Sequence, residues 1–180
     1  MTLTQVLLVV ALVLVIGVIA YRRAGSGKGA SVAALRRPLV SGVDVGGQVS
    51  AADVARLKEH GYRTIINMRP DGEGAGQPVS ADVAQAADAA GLAYAYIPTS
   101  AANMPDAVID DLGRALAGAE GPVLIYCRSG ARVARAWALA EASRPGGLDK
   151  QGIVGAVEQA GFSAADLEPR IEARLAARPE

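Results

Sequence analysis

Gly121-Pro122-Val123-Leu124-Ile125-Tyr126-Cys127-Arg128-Ser129-Gly130-Ala131-Arg132 is the stretch whose reading decides the fold. Val123–Tyr126 is a short apolar run bounded by Gly-Pro on one side and by a polar turn on the other, which predicts a buried strand. From Ala131 to Ala142 the residues are good helix formers, so a strand gives way to a helix across one short turn. In sheets built this way, ligands collect at the carboxyl ends of the strands. A turn with a glycine lets successive backbone N–H groups converge on one anion, and the helix that follows adds about half a positive charge. Cys127 stands at the head of that turn, with Arg128 and Arg132 flanking it. Such surroundings favour a thiolate, and Arg132 is placed to clamp the oxygens of a bound group in bidentate fashion.

The same alternation extends outward on both sides. Ser50-Ala51-Ala52-Asp53 is an N-cap with an acid in the first turn, opening a helix to about His60, and Gly61 closes it. Tyr62–Met68 is rich in β-branched residues and predicts a buried strand, followed by the loop Arg69-Pro70-Asp71-Gly72-Glu73-Gly74. A helix from Ser80 to about Ala90, a strand over Leu92–Ile97 and a helix from Pro105 to about Ala117 complete the approach to Val123. Beyond the cysteine loop, two further helices are expected, about Lys150–Gln159 and Ser163–Ala177, with Pro169 interrupting or restarting the second. Strands alternating with helices predict an α/β fold, a central and largely parallel sheet flanked by helices.

The amino-terminal part reads differently. Thr2–Tyr21 is uncharged, and twenty residues at 1.5 Å rise match the ~30 Å of a bilayer core. Cations follow the run at Arg22 and Arg23 instead of preceding it, the reverse of a secretory signal. The expectation is one transmembrane anchor over residues 1–23, a linker over 24–40 and a single domain over 41–180. The positive-inside rule then puts that domain on the cytoplasmic side of the plasma membrane.

Composition removes several function classes. Of 18 basic residues, five precede the first acid, Asp44, leaving 13 against 18 acids, so the domain carries about −5. An acidic domain is a poor binder of nucleic acid. One cysteine excludes an intramolecular disulfide, and the single histidine, His60, sits at a helix end. No metal site and no cofactor are expected, and a mechanism that needs a histidine base has no candidate.

Cys127-Arg128-Ser129-Gly130-Ala131-Arg132 resembles the Cys-x-x-x-x-Arg active-site loop of rhodanese-type sulfurtransferases. The framework around it is more similar to dual-specificity phosphatases, on Val45-Gly46-Gly47-Gln48-Val49-Ser50, on Leu57-Lys58 and Gly61–Arg69, and on Tyr94-Ala95-Tyr96-Ile97-Pro98. Together with Arg69-Pro70-Asp71-Gly72-Glu73, the combination resembles the phosphatase-like domain of beta-lactamase-hydrolase-like proteins, from about Ser41 to Arg174. Members of that family are also described as sulfur transferases, and some are fused to metallo-hydrolase domains.

Two features weigh sulfur against phosphate. Cysteine phosphatases carry five residues between cysteine and arginine, and this chain has four, with Val133 where their arginine would stand. Phosphatases of this framework also place an aspartic acid shortly after the Ile-Pro strand end, where this chain has Ala101. Without a proton donor an alkoxide leaves slowly, since general acid catalysis contributes roughly 10²- to 10⁴-fold. Sulfur transfer needs no such acid. The leading expectation is therefore a sulfurtransferase. Cys127 takes sulfur from a small anionic donor such as thiosulfate or a persulfide and passes it to a thiol acceptor. Arg132 is the clamp, and Arg128, Ser129, Gly130 and Ala131 form the cradle. Arg69 and Asp71 are candidates for the rim, and Asp71 or Asp106 for a substitute acid. The alternative is a cysteine phosphatase acting on a phosphate ester. A third reading is a non-catalytic anion-binding or redox-sensing module at the membrane.

Overall fold

In the computed structural model, which describes residues 32–102 and 104–179, Val123–Tyr126 is the middle strand of a five-stranded sheet. In chain order the elements are α1 (Val32–Leu35), β1 (Arg36–Val40), β2 (Val43–Gly46), α2 (Ala51–Glu59), β3 (Thr64–Asn67), α3 (Ser80–Ala89) and β4 (Ala93–Tyr96). They continue with α4 (Asp106–Ala117), β5 (Val123–Tyr126), α5 (Ala131–Ser143), α6 (Lys150–Gln159), a 3-10 turn at Ala165–Leu167 and α7 (Glu168–Ala176). The sheet order is β1-β2-β5-β3-β4. The pairs β2–β5, β5–β3 and β3–β4 are parallel, and β1 is antiparallel on the outer edge of β2. The expected α/β class with a largely parallel sheet is what the chain forms.

The middle strands are buried on both faces, as parallel strands between helix layers must be. Every residue of β3 and β5 is buried. Alternation divides them: Ile65, Leu124 and Tyr126 join the core under α2 and α3, whereas Ile66, Val123, Ile125 and Cys127 join the larger core around α5. Helix α5 is enclosed on nearly all sides, with Trp137 and Leu139 at 1 % and 0 % exposure. Its many alanines let α4, α6 and α7 approach closely, which is where the alanine-rich, aromatic-poor composition goes.

The amino-terminal boundary needs a correction. The sequence reading ends the linker at residue 40, but α1 and β1 are part of the folded unit, which begins at Ser31. Two arginines and a proline mask the strand signal in Arg36-Arg37-Pro38. On an edge strand those residues are tolerated, because the cations point outward and a missing N–H costs no ladder bond. Arg36 Nη1 donates to Asp44 Oδ2 at 2.8 Å, and Arg37 lies 4.8 Å over the Phe162 ring and donates to the Ala160 carbonyl. Leu39, two residues after Arg37, is buried in the core. The folded unit therefore holds 15 bases against 18 acids, about −3, still acidic. The expected membrane span over residues 2–21 lies outside the described residues. Among those described, no helix is long and apolar enough to cross a membrane.

Because β2, β3, β4 and β5 run in parallel, their carboxyl ends emerge on one side of the sheet. Four segments meet there, namely residues 47–50, 68–79, 97–102 and 127–130. Backbone bonds lock them together: Cys127 N–H donates to Gly46 O, Gln48 N–H to Arg128 O, Met68 N–H to Tyr126 O and Thr99 N–H to Met68 O.

Candidate active site

Cys127 is the first residue past β5, and its side chain is 1 % exposed. The turn that follows brings Gly130 back over it, so that Gly130 N–H donates to Cys127 Sγ at 3.3 Å. Gly130 also precedes the first turn of α5 with φ at +94°, a left-handed conformation that only glycine adopts cheaply. A β-carbon there would come 2.8 Å from Phe162 Cζ, so the position is closed to other residues on two grounds. The sulfur thus receives a backbone donor and lies at the amino terminus of a thirteen-residue helix.

Arg132 lies in the first turn of α5 and is 8 % exposed. Its guanidinium donates to the Met68 carbonyl at 3.3 Å through Nη1 and pairs with Glu73 through Nη2, while its buried Nε has no partner. Val133, the next residue, belongs to the hydrophobic core. The four-residue spacing therefore puts the arginine, and not its neighbour, at the mouth of the loop. Arg69 is equally buried, at 7 %, and meets the same carboxylate: its Nε donates to Glu73 Oε2 at 2.8 Å and its Nη1 to Gln48 Oε1 at 2.6 Å. Partial burial opposes ionisation of Glu73, but hydrogen bonds from Arg69 and Arg132 outweigh it and hold the carboxyl below its usual range. Two guanidiniums bracket one carboxylate, so this corner keeps a positive charge in surplus.

The loop that carries Arg69 and Glu73 is fastened from beneath. Asn67 Oδ1 accepts from Arg69 N–H at 2.8 Å while Asn67 Nδ2 donates to Tyr94 Oη. Tyr96 Oη accepts from Asp71 N–H at 2.9 Å. Asp71 itself spends both oxygens on Ser80, accepting from its N–H and its hydroxyl at the start of α3.

The structure thus joins Cys127, Gly130 and Arg132 with Arg69. It does not bring Asp71 in as a group facing the sulfur; Asp71 ties its loop to α3. Asp106 lies at the start of α4, where hydrogen bonds from Arg174 and Arg170 hold its carboxyl below its usual range. Both carboxylates accept hydrogen bonds from these partners. Arg128 and Ser129 are exposed on the outer side of the turn, and Ala131 is half-buried. His60 ends α2, its Nδ1 against the Arg56 carbonyl. Among the described residues, no cluster of three His, Cys, Asp or Glu side chains is placed to hold a metal. Two participants escape a reading of the sequence, Glu73 and Gln48. An acid four residues after Arg69 in a glycine-rich loop is the one signal for Glu73; Gln48 has none. A groove of about 690 Å³ between Arg63, Ala93 and Gly121 opens at the amino ends of the strands, away from this chemistry.

Comparison with known proteins agrees with this layout. Residues 35–144 match the family described as beta-lactamase hydrolase-like protein, phosphatase-like domain. A beta-lactamase hydrolase-like protein of Agrobacterium fabrum is 41% identical over 98 residues, covering 54% of this chain and 23% of that one. The chain therefore spans about a quarter of the length of that relative. Among solved structures, a Neisseria meningitidis protein described as a candidate phosphatase superposes with a TM-score of 0.66 at 27% identity, over 77% of this chain and 96% of that one. The fold is shared also with Pseudomonas aeruginosa TpbA, solved as a Cys-to-Ser variant with phosphotyrosine, at TM-score 0.55 and 21% identity over 84% and 88% of the two chains. With most of its folded unit matched and a cysteine loop at the expected strand end, the chain belongs to the phosphatase-like domain family of beta-lactamase hydrolase-like proteins.

Proposed function

We propose that this domain is a cysteine-dependent phosphatase acting on phosphate monoesters, the alternative among the two enzymatic expectations. One observation carries it. Beside the buried thiol, two buried arginines already hold an oxyanion, the Glu73 carboxylate, in the manner a phosphoryl group would be held. The family and its phosphatase-fold neighbours support the same choice.

The chemistry runs in two displacements. Cys127 thiolate attacks phosphorus, forming an S–P bond as the ester P–O bond breaks and the leaving oxygen departs with its electron pair. Loop N–H groups and the Arg132 guanidinium hold the equatorial oxygens as charge shifts onto them. Water then attacks phosphorus, the S–P bond breaks, and inorganic phosphate and the thiolate are released. Arg132→Met should reduce kcat/KM for an aryl phosphate about 10²- to 10³-fold, the usual cost of removing one preorganised donor at a developing charge. The fold should survive, since Glu73 keeps Arg69 as a partner. Steady-state kinetics beside a thermal melt would test this; unchanged kcat/KM would remove Arg132 from the mechanism.

Sulfur transfer stays as the second reading because of the loop itself. Four residues between Cys127 and Arg132, and a thiol at 1 % exposure, suit a small donor as well as a phosphoryl group. On that reading, incubation with thiosulfate adds one sulfur, about 32 Da, to the intact protein and not to Cys127→Ser. An unchanged mass, with aryl phosphate turned over, would leave phosphate chemistry alone.

A further inference from the structure

The anion that sits between Arg69 and Arg132 belongs to the protein itself. We propose that Glu73 sets the affinity of the site: it is a built-in counter-anion that holds the two arginines while the site is empty and is exchanged for the oxyanion of the substrate. The inference rests on the phosphatase reading and adds to it what the arginines do beforehand.

Three observations on different parts of the site agree. First, both guanidiniums converge on one carboxylate, Arg69 through Nε and Arg132 through Nη2, leaving fewer of their donors for a ligand. Second, the buried Nε of Arg132 has no partner, so this pairing does not satisfy the arginine. A buried unpaired donor is costly, and a tetrahedral oxyanion, with more acceptor sites than a carboxylate, meets that need. Third, the segment carrying Glu73 is held by one backbone turn bond, Gln77 N–H to the Gly74 carbonyl at 3.3 Å, while its ends are fastened several times over. Arg69 N–H and Asp71 N–H are pinned by Asn67 and Tyr96, Asp71 is bonded to Ser80, and Gln77 Nε2 donates to the Pro70 carbonyl. Between these anchors lies Gly72-Glu73-Gly74-Ala75-Gly76, exposed throughout, with Gly72 and Gly76 at φ of +75° and +70°. When Glu73 swings out, Arg69 loses its Nε contact but keeps its backbone bond to Asn67 and its Nη1 bond to Gln48.

A tethered carboxylate acts at an effective concentration in the millimolar range or above, so weak anions do not displace it. In exchange, every incoming anion is penalised by the same factor, the inverse of the fraction of time the arginines stand free. A Glu73 that stayed in place and repelled the ligand would instead penalise a dianion more than a monoanion. A Glu73 that served only to orient Arg132 would strengthen binding by its presence.

These cases separate in one experiment on the full chain. Calorimetric titration with sulfate, a dianion, and methyl sulfate, a monoanion of like geometry, is carried out on the wild type, Glu73→Gln and Glu73→Asp at pH 7.5. The expected result is that Glu73→Gln binds both about tenfold more tightly, by the same factor. Glu73→Asp, whose shorter arm cannot bridge both guanidiniums, tightens both by less. Weaker binding in Glu73→Gln, unchanged binding, or a gain confined to sulfate would each overturn the exchange while leaving an oxyanion site in place. Absence of sulfate binding in all three forms would overturn the oxyanion site and the phosphatase reading with it. A thermal melt of each variant shows whether the compared proteins are folded.

Discussion

Cys127→Ser is expected to lower turnover of an aryl phosphate by on the order of 10⁴-fold or more, the scale seen when a nucleophile is removed from a site whose other groups remain. The swap removes the nucleophile and little else. A serine hydroxyl is slightly smaller than the thiol, and it can accept the same Gly130 N–H that now donates to the sulfur at 3.3 Å. What it cannot do is ionise. A thiol is by nature the more acidic and more nucleophilic of the two groups, whereas a hydroxyl needs an adjacent base to take its proton. The chain's single histidine is at the far end of α2, occupied with the Arg56 carbonyl, so no such base is at hand. The variant should therefore keep its melting temperature and still bind inorganic phosphate, because Arg132, Arg69 and the loop amides are untouched. Steady-state kinetics together with a phosphate titration test both halves. Turnover within tenfold of the wild type would show that Cys127 is not the nucleophile, whatever the loop resembles.

How much of this was legible beforehand follows from the range over which each signal acts. Strand β5, the turn and helix α5 are specified within one continuous stretch, Val123 to Ser143, by an apolar run, a glycine that must take a positive φ and a run of helix formers. The same holds for α2, whose ends are set by Ser50 with Asp53 and by Gly61. Strand β1 was hidden because Arg36, Arg37 and Pro38 argue locally against a strand, and only pairing with β2, Asp44 and Phe162 makes them acceptable. The site divides in the same way. Cys127, Gly130 and Arg132 are neighbours in sequence and could be read together. Glu73 and Gln48 come to the loop only because parallel strands bring their carboxyl ends to one edge, which no local pattern announces. The choice of chemistry moved for that reason. Loop length and a missing aspartate argued for sulfur, whereas a second arginine and a bound carboxylate argue for an oxyanion.

Leaving-group ability should control this enzyme more than it controls a phosphatase with a proton donor. Loop 97–105 contains Ile-Pro-Thr-Ser-Ala-Ala-Asn-Met-Pro and no carboxyl group. Three carboxyls elsewhere are committed: Asp71 to Ser80, Asp106 to Arg170 and Arg174, and Glu73 to Arg69 and Arg132. Asp106 and Glu73 are both held below their usual range, so at neutral pH each is ionised and has no proton to give. The leaving oxygen must then bear its full charge. A p-nitrophenolate does this easily and an alkoxide does not, so the aryl ester should gain an additional preference of about 10²- to 10⁴-fold in kcat/KM, the share a general acid would otherwise supply. The pH profile follows with the same sign. A carboxyl that donated a proton would make the rate fall as pH rises through its pKa. With Asp106 and Glu73 depressed, neither is expected to produce such a fall between pH 5 and pH 8. Rates for p-nitrophenyl phosphate and a simple alkyl phosphate, each followed across that range, decide the matter. Comparable rates with a falling basic limb would mean that a carboxyl gains a proton on substrate binding. Glu73, released from both arginines by the incoming phosphate, would then be the group to replace.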